Sequence, residues 1–232
     1  VSNTIAKKRL IQMGENKKNI FITGSPDVDI ILDKKLPKLG HVKKRYDINF
    51  DNYAIAILHP VVTNTKFLKN EAKLFYNSLV QTKKKFIITY PNNDMGSNVI
   101  FKEINKLNNN KKIKIFPSIR FEYFLTLLKN SKFIIGNSSC GIMEAPYYGI
   151  PTINLGDRQK NRVKNKNIFN INFNKNEIIK TIKKIEKSKI KKNIFFRKGN
   201  ADNIIIKILS SQKFWETNFQ KNFVDINKLI LN

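Results

Sequence analysis

The chain has 232 residues, of which 41% are apolar and 17 are Phe, so it can bury a sizeable core and is not a disordered chain. Its formal net charge is +27, from 44 Lys and Arg against 17 Asp and Glu. No apolar run approaches the roughly 20 residues that cross a bilayer, no apolar secretory segment follows the polar residues 1–9, and a single cysteine, Cys140, excludes an internal disulfide. We therefore expect a cytoplasmic protein.

The first 52 residues predict a helix, a short strand and an irregular connection. Helical spacing of apolar residues over 4–14 ends at Gly14, a residue type that often follows a helix. Residues 20–23 predict a short strand that continues into an apolar turn at 27–32. Residues 33–52 are polar and carry Pro37 and Gly40, which is typical of a linker or hinge.

From residue 53 onward, short apolar strands alternate with helices. The predicted strands are 53–58, 86–90, 113–116, 133–135, 152–155 and 168–171, and the predicted helices are 70–83, 97–107, 120–130, 142–148 and 175–187. This alternation predicts βαβ units, and therefore an α/β fold with a parallel sheet covered on both faces. Residues 178–232 predict further helices, whose aromatic residues at near-helical intervals favour packing: Phe214, Trp215, Phe219 and Phe223.

Polar and small residues follow five of the predicted strands. They are His59, the segment Pro91–Ser97, the segment Phe116–Arg120, the segment Gly136–Gly141 and the segment Gly156–Gln159. In an open parallel sheet, ligands bind in the crevice beyond the carboxyl ends of the strands. The sequence therefore predicts that these loops meet around one ligand.

The segment 136–144 carries the strongest indication of the ligand's chemistry. A strand is followed by a small-residue turn with Ser138 and Ser139 and then by a helix start, which suits a diphosphate because backbone amides and the helix dipole attract anions. Glu144 suits the vicinal hydroxyls of a ribose better than it suits a phosphate. An ordinary serine N-cap followed by a glutamate gives the same pattern, so both interpretations stand.

Three basic residues have positions that fit the same site. His59 lies at a strand end, where it could donate to a phosphate oxygen, although a lone histidine is more often structural. Arg158 and Arg162 follow the fifth strand, where a guanidinium that binds a phosphate and a surface salt bridge are equally open interpretations.

Cys140 has no histidine near it in the sequence, so we expect a small buried residue rather than a nucleophile. No spacing typical of a metal site appears, and we expect no cofactor.

The large positive charge raises the alternative of a nucleic-acid-binding module. Only six of the basic residues are Arg, and 32 residues are Asn, so the bias towards Lys, Asn and Ile matches A/T-rich codons. The lysines are scattered over expected helix ends and loops, whereas a nucleic-acid surface interleaves Arg and aromatic residues on one face. We therefore expect no nucleic-acid or membrane partner.

The segments that follow the fourth and fifth predicted strands resemble those of a known protein family. The run Gly136-Asn137-Ser138-Ser139-Cys140-Gly141-Ile142-Met143-Glu144-Ala145-Pro146, and then Gly149–Gln159, closely resembles the carboxyl-terminal signature of the UDP-N-acetylglucosamine 2-epimerase family. The segments Phe21–Asp27, Leu58-His59-Pro60 and Tyr90–Gly96 also match that family. The likeness is most specific over 130–162 and extends more loosely from residue 1 to about 225.

The resemblance implies a glycosyltransferase-B-like pair of Rossmann-like domains with the active site between them. In this chain, residues 1–45 would be the end of the first domain and the hinge, 46–190 the carboxyl-terminal nucleotide-binding domain, and 191–232 helices that pack back on the domains. By resemblance, the phosphates would be bound by His59, Ser138, Ser139 and Arg158, the uridine side by Asn92 and the backbone at Phe116, and the ribose by Glu144. Full-length members of the family are expected to be homo-oligomers.

The resemblance also implies a subclass. His59 is followed by Pro60-Val61-Val62-Thr63, which looks like the hydrolysing branch used in the biosynthesis of sialic and legionaminic acids. That branch releases UDP and the free 2-epimer, such as N-acetylmannosamine, by elimination of UDP to a glycal and addition of water. The acidic residues for this chemistry are expected in a preceding domain, so we expect UDP binding without turnover by these residues alone. A UDP-N,N′-diacetylbacillosamine 2-epimerase and a glycosyltransferase of the same architecture remain the alternatives.

Overall fold

The computed structural model describes residues 1–163, 165–186, 199–218 and 220. Its central element is a six-stranded parallel sheet with the strands β1 (Ala54–Ile57), β2 (Phe86–Thr89), β3 (Ile113–Phe116), β4 (Ile134–Gly136), β5 (Thr152–Leu155) and β6 (Ile168–Ile171). The strand order is β3-β2-β1-β4-β5-β6. The chain builds outward from β1 to β3 and then returns to the other side of β1 for β4, so the strand order reverses between β1 and β4 and leaves a crevice at their carboxyl ends.

Helices flank the strands. They are α1 (Thr4–Gln12), α2 (Pro26–Ile31), α3 (Leu39–Arg45), α4 (Leu68–Gln81), α5 (Ser97–Asn105), α6 (Phe121–Lys129), α7 (Cys140–Met143), α8 (Ala145–Tyr148), α9 (Lys175–Glu186), α10 (Ala201–Leu209) and α11 (Gln212–Trp215). Two 3-10 turns, Lys17–Asn19 and Val62–Phe67, complete the described elements.

The sheet is the centre of the hydrophobic core. All four residues of β1 and all four of β5 are buried, as expected where both faces of a parallel sheet are covered. Helix α4 contributes Phe75, Tyr76 and Leu79, each at most 1% exposed, to the same buried cluster as the β2 residues. Burial of each such side chain contributes about 1.5–3 kcal/mol, so the sheet is a stable base for its loops.

The α/β fold and the six strands are confirmed, whereas three local predictions are wrong. Residues 33–52 are not irregular throughout, because they contain α3, whose Val42 is fully buried and whose neighbour Tyr46 packs edge-on against Phe116. Residues 142–148 are two one-turn helices rather than one helix, because Pro146 has no N–H to donate to a preceding carbonyl. Residues 20–23 do not join the sheet, and the amide of Thr23 donates to the carbonyl of Val1.

The chain divides into two compact units, 1–33 with 194–232, and 34–193. In the first unit, the carboxylate of Asp29 accepts hydrogen bonds from the amides of Ala201 (2.9 Å) and Asp202 (3.2 Å), so it caps α10. The predicted packing of the late aromatic residues holds for Phe214, which meets the Phe21 ring edge-on at 5.9 Å, whereas Trp215 is 63% exposed. Phe219 and Phe223 lie outside the described residues.

The second unit contains the whole sheet, and its boundary at 33/34 precedes the predicted boundary at 45/46. Within the described part of the chain, none of the helices has the length and apolar character to span a bilayer.

Candidate functional site

Hydrogen bonds join the carboxyl ends of neighbouring strands into a continuous series. The amide of Tyr90, at the end of β2, donates to the carbonyl of Phe116 on β3 at 3.0 Å. Two residues later, the amide of Asn92 donates to Nδ1 of His59, beyond β1, at 3.0 Å. His59 is in turn bonded to Asn137, beyond β4, and the carbonyl of Asn137 accepts from Arg158, beyond β5. The series crosses the β1–β4 crevice.

Asn137 is the centre of this series and ties the two sides of the crevice together. Its Oδ1 accepts from the amide of His59 at 2.7 Å, and its Nδ2 donates to the carbonyl of His59 at 2.8 Å. The side chain is 1% exposed, so both bonds are shielded from water. A buried amide whose two ends are both bonded holds the two loops at one separation, since either group left unbonded costs about 1–3 kcal/mol.

Gly136 allows this close approach. Its φ is +135°, and an added Cβ would lie 1.8 Å from the carbonyl oxygen of Ile57 on β1. That carbonyl also accepts from the amide of Asn137 at 3.1 Å. Only glycine fits at this position, because any side chain would collide with backbone.

His59 is presented as a neutral hydrogen-bond donor. Because Nδ1 accepts from Asn92, the proton of the neutral ring lies on Nε2. Burial, and to a lesser extent the positive charge of Arg158, lowers the pKa of His59 to about 4, although Asp94 acts in the opposite direction. The ring therefore stays neutral at physiological pH and offers Nε2–H to a ligand.

Two residues after β5 bind the same carbonyl of Asn137. Nη1 of Arg158 donates to it at 3.1 Å and Nε2 of Gln159 at 3.2 Å. Gln159 is 4% exposed, and its Oε1 accepts from Nη1 of Arg162 at 2.7 Å. The guanidinium of Arg158 is thus held at the Asn137 carbonyl, and the guanidinium of Arg162 holds Gln159, which donates to the same carbonyl.

The two predicted serines follow Asn137 at the turn into α7. The Oγ of Ser138 accepts from the Cys140 thiol at 3.1 Å, and Ser139 precedes the first residue of α7. The carbonyl of Ser139 accepts from the amides of Ile142 and Met143, both at 2.8 Å, so the turn is tightly wound. Because α7 is only one turn long, its dipole is small, and the hydroxyls and Arg158 supply most of the attraction for an anion.

Cys140 has the inert character expected from the sequence. The residue is buried, and burial, with a contribution from the Glu144 carboxylate, raises the pKa of its thiol to about 12. A thiol that holds its proton so firmly is not a nucleophile at neutral pH.

The residues predicted for the nucleoside lie on both sides of this centre. The side-chain amide of Asn92 donates to Asp94, while its Oδ1 is buried and has no hydrogen-bond partner among the described residues. The carbonyl of Phe116 already accepts one bond within the sheet and has a second lone pair left. Glu144 is half-buried between α7 and α8, and its charge helps burial to raise the pKa of Tyr148.

The structure therefore gathers His59, Ser138, Ser139 and Arg158 around Asn137. A hydrogen bond connects Asn92 to His59, and another connects Phe116 to Tyr90, two residues before Asn92. Sequence reasoning assigned no role to Asn137 or Gln159. The available signal is position alone, because both residues lie in the polar loops that follow β4 and β5. Within the described residues, no three His, Cys, Asp or Glu side chains are grouped to hold a metal ion. The arrangement offers donors and a positive charge, which suit an anionic ligand.

Comparisons with known proteins agree with this chemistry. The family model described as UDP-N-acetylglucosamine 2-epimerase matches residues 1–210. The chain is 39% identical, over 98% of its length, to the UDP-N-acetylglucosamine 2-epimerase of Neisseria meningitidis, and it covers 61% of that protein. It is 32% identical, over 97% of its length, to the GDP/UDP-N,N′-diacetylbacillosamine 2-epimerase (hydrolyzing) of Campylobacter jejuni, again with 61% of that protein covered.

A solved structure gives the same relationship. The UDP-GlcNAc 2-epimerase of Methanocaldococcus jannaschii, in complex with UDP-GlcNAc and UDP, superposes with a TM-score of 0.72 at 27% identity. The match covers 89% of this chain and 59% of that chain. The chain thus spans about three fifths of the length of the relatives that it matches.

Proposed function

Because the chain belongs to the UDP-N-acetylglucosamine 2-epimerase family, we propose that it binds the UDP part of a UDP-sugar at the β1–β4 crevice. For the whole enzyme we propose hydrolytic 2-epimerisation, in which UDP-N-acetylglucosamine yields UDP and N-acetylmannosamine. The observation that carries the binding proposal is the series His59–Asn137–Arg158, which directs donors from three loops to one place.

In this proposal the diphosphate is bound by the residues nearest to Asn137. His59 donates through Nε2–H, Ser138 and Ser139 donate through their hydroxyls, and Arg158 supplies the positive charge. The uridine lies towards Asn92 and the carbonyl of Phe116, and Glu144 accepts from the ribose hydroxyls.

The same groups would assist the reaction of the whole enzyme. Elimination removes a proton from C2 of the sugar and breaks the bond between C1 and the diphosphate oxygen, which leaves as UDP. Water then adds across the resulting double bond. Its OH group bonds to C1, and a proton is added to C2 on the face opposite to the one from which the first proton was removed. Donors that stabilise the charge developing on the leaving diphosphate lower the barrier of the first step.

Two observations support the hydrolysing branch. The residues that follow His59, Pro60-Val61-Val62-Thr63, resemble the hydrolysing branch, and the relative from C. jejuni is named as a hydrolysing enzyme. The alternative substrate is UDP-N,N′-diacetylbacillosamine, since a relative named as a hydrolysing epimerase for the GDP- or UDP-linked form of that sugar is 32% identical.

Calorimetric titration of the 232-residue chain tests the binding proposal. We expect UDP to bind more tightly than UMP by at least tenfold, because the second phosphate adds charge-assisted hydrogen bonds of about 1.5–3 kcal/mol. Ser138→Ala should weaken UDP and leave UMP less affected, and Ser210→Ala, far along the chain, is the matched control. Equal affinity for UDP and UMP would contradict the assignment of the diphosphate site.

Product analysis of the whole enzyme tests the reaction. Proton NMR of a reaction with UDP-N-acetylglucosamine should show free N-acetylmannosamine appearing together with UDP. Appearance of a UDP-linked 2-epimer would place the enzyme in the non-hydrolysing branch, and transfer of the sugar to an acceptor would indicate a glycosyltransferase.

A competition experiment tests the nucleic-acid alternative, which only the net charge of +27 favours. We expect only weak binding to random RNA, with an affinity that falls steeply as the salt concentration rises. Tight RNA binding that UDP does not displace, and that persists in Ser138→Ala and Arg158→Ala, would favour the nucleic-acid alternative instead.

A further inference from the structure

The loop between β3 and α6, residues 117–120, has few hydrogen bonds of its own. Its proline has no amide hydrogen, and the amides of Ser118 and Ile119 have no acceptor in the part of the chain that the structure describes. The amide of Arg120 donates to the hydroxyl of Tyr46 at 3.2 Å. The position of the loop therefore depends on Tyr46.

Tyr46 can support the loop because the tyrosine is itself fixed on several sides. Its amide donates to the carbonyl of Val42, a fully buried residue of α3, at 3.1 Å. Its ring meets the ring of Phe116 edge-on at 5.4 Å and the ring of Tyr123 on α6 edge-on at 5.9 Å. Edge-on aromatic pairs stabilise beyond the area that they bury, so a firmly held ring presents the hydroxyl.

The helix that precedes Tyr46 is also attached at both of its ends. Before α3, the carbonyl of Pro37 accepts from Oγ1 of Thr126 on α6 at 2.9 Å. After α3, the carboxylate of Asp47 pairs with the ammonium group of Lys114 on β3 at 2.7 Å. Tyr46 is thus tied to the edge of the sheet independently of the loop, and the loop takes its position from Tyr46.

Backbone groups at this loop can distinguish one pyrimidine base from another. The carbonyl of Phe116 has a lone pair left, and the amides of Ser118 and Ile119 are donors. Uracil presents an N–H at N3 between two carbonyl oxygens, which matches an acceptor beside donors. Cytosine presents a bare N3 and an amino group at C4, so the same backbone groups would face it acceptor to acceptor and donor to donor. A fixed loop therefore selects uracil, whereas a loop that shifts can adapt to either base.

We propose that Tyr46 is a positioning residue for the base of the nucleotide. Its hydroxyl holds the loop so that the carbonyl of Phe116 accepts from N3–H of uracil and the amides of Ser118 and Ile119 face a carbonyl oxygen of that base. This inference rests on the proposed UDP site and adds the residue that makes the site select uracil.

Calorimetric titration of the 232-residue chain with UDP, CDP and inorganic pyrophosphate tests this role. We expect the unaltered chain to prefer UDP to CDP by about tenfold, because cytosine leaves the backbone groups unpaired. Tyr46→Phe removes the hydroxyl and keeps the ring, so it should lower this preference by about threefold and change the affinity for pyrophosphate by less than about twofold. The lost hydrogen bond is exposed, so the variant should fold normally.

Three further variants make the test specific to the hydrogen bond. Arg120→Pro removes the amide that donates to Tyr46, and the φ of −53° at this position suits proline, so the preference for UDP should fall as in Tyr46→Phe. Arg120→Ala removes the same guanidinium but keeps the amide, and it should leave the preference unchanged. Tyr123→Phe removes a hydroxyl of the same aromatic cluster that lies 3.5 Å from Nε2 of His41, and it should also have no effect.

The outcomes separate this inference from the proposed function. A lower preference for UDP in Tyr46→Phe and Arg120→Pro, but not in the two controls, supports the role of Tyr46. An unchanged preference in Tyr46→Phe overturns it and leaves the UDP site intact. Equal weakening of UDP, CDP and pyrophosphate in Tyr46→Phe also overturns it, because Tyr46 would then support the fold and not the base. Failure of the unaltered chain to bind UDP overturns the proposed function itself.

Discussion

The two ends of the sheet carry opposite kinds of polar surface. At the carboxyl ends of the strands, hydrogen bonds connect His59 with Asn137 and Asn137 with Arg158. At the amino ends, a cavity of about 640 Å³ is bordered by the lysines 83, 84, 85 and 132, and it is larger than the cavity of about 500 Å³ that Arg158 borders. Those lysines are exposed or half-buried, and Lys84 pairs with Glu186.

The anion site that we propose at the carboxyl ends is therefore distinguished neither by cavity size nor by a cluster of lysines. Helices α4, α6 and α9 end at the amino side of the sheet, so their carbonyls and negative dipole ends point there, and lysines at helix ends neutralise them. The carboxyl side holds its donors in fixed positions through the hydrogen bonds of Asn137, so the anion binding that we propose there would cost little reorganisation.

The largest expected effect at the carboxyl side is on stability. Gly136→Ala should lower the free energy of unfolding by at least about 3 kcal/mol, because the new Cβ would lie 1.8 Å from a backbone oxygen of β1. Urea denaturation measures the loss. Gly40→Ala is the control, since nothing lies within 4 Å of the added Cβ there and alanine favours helix α3. Equal stability of the two variants would contradict the close β1–β4 contact.

Removal of the Arg158 guanidinium should weaken UDP binding, whereas removal of a lysine at the amino ends of the strands should not. Arg158→Ala should weaken UDP binding by about 10- to 100-fold, the equivalent of a charge-assisted hydrogen bond of about 1.5–3 kcal/mol. Arg158→Lys should recover part of the affinity, because it keeps the charge but not the fork of donors. Lys84→Ala, at the amino side, should change UDP affinity less than twofold in the same calorimetric experiment. A larger effect of Lys84→Ala than of Arg158→Ala would reverse the comparison.

Removal of the central amide tests whether fixed positions matter. Asn137→Ala leaves the amide and carbonyl of His59 without their partners, so we expect a loss of about 2 kcal/mol in unfolding free energy and about tenfold in UDP affinity. Ser131→Ala at the amino side also removes a buried hydrogen bond, from Oγ to the carbonyl of Leu128 at 2.8 Å. It should cost about 1 kcal/mol in stability and leave UDP affinity unchanged. A similar loss of affinity in both variants would point to a general effect of stability.

The smallest expected effect is a flat pH profile. Because the pKa of His59 is lowered to about 4, affinity for UDP-N-acetylglucosamine should not change between pH 5.5 and 8, whereas an unperturbed histidine titrates near about 6.5. The sugar nucleotide is the suitable ligand, since its phosphates carry no group that titrates in this range. A step in affinity near pH 6.5 that disappears in His59→Gln would show that the ring is charged when it binds.

The lowered pKa of His59 also makes the stability of the fold depend on pH. The folded state binds fewer protons at His59 than the unfolded state between pH 6.5 and about 4. The stability that comes from the neutral ring is therefore fully present above pH 6.5 and is lost as the pH falls towards about 4. Comparison of acid unfolding curves for the chain and for His59→Gln measures this loss.

Sequence reasoning predicted the sheet well because each strand is a short apolar run whose burial depends mainly on its own composition. The predicted strand 113–116 and the predicted strand 152–155 agree with β3 and β5 to the residue. It failed at α3, where a polar segment becomes helical because Val42 is buried by residues distant in the chain. It also failed at Glu144, where Pro146 interrupts the helix and leaves only one turn on either side.

The candidate site was predicted in its members but not in its connections. His59, Ser138 and Arg158 could be selected because polar residues at the ends of parallel strands share one edge of the sheet. Asn137 belongs to the same motif, but nothing in the sequence indicated a role for it, because its importance depends on hydrogen bonds to His59, which lies 78 positions earlier in the chain.

Composition, the alternation of strands and helices, and the polar residues after each strand determined the α/β class and the edge of the sheet where we propose that a ligand binds. These features are local, and burial of a parallel sheet leaves only its ends available. The strand order decided the rest, because the return of β4 to the side of β1 creates the crevice and brings Asn137 to His59. No local pattern carries that information, since it depends on which strands become neighbours when the chain folds.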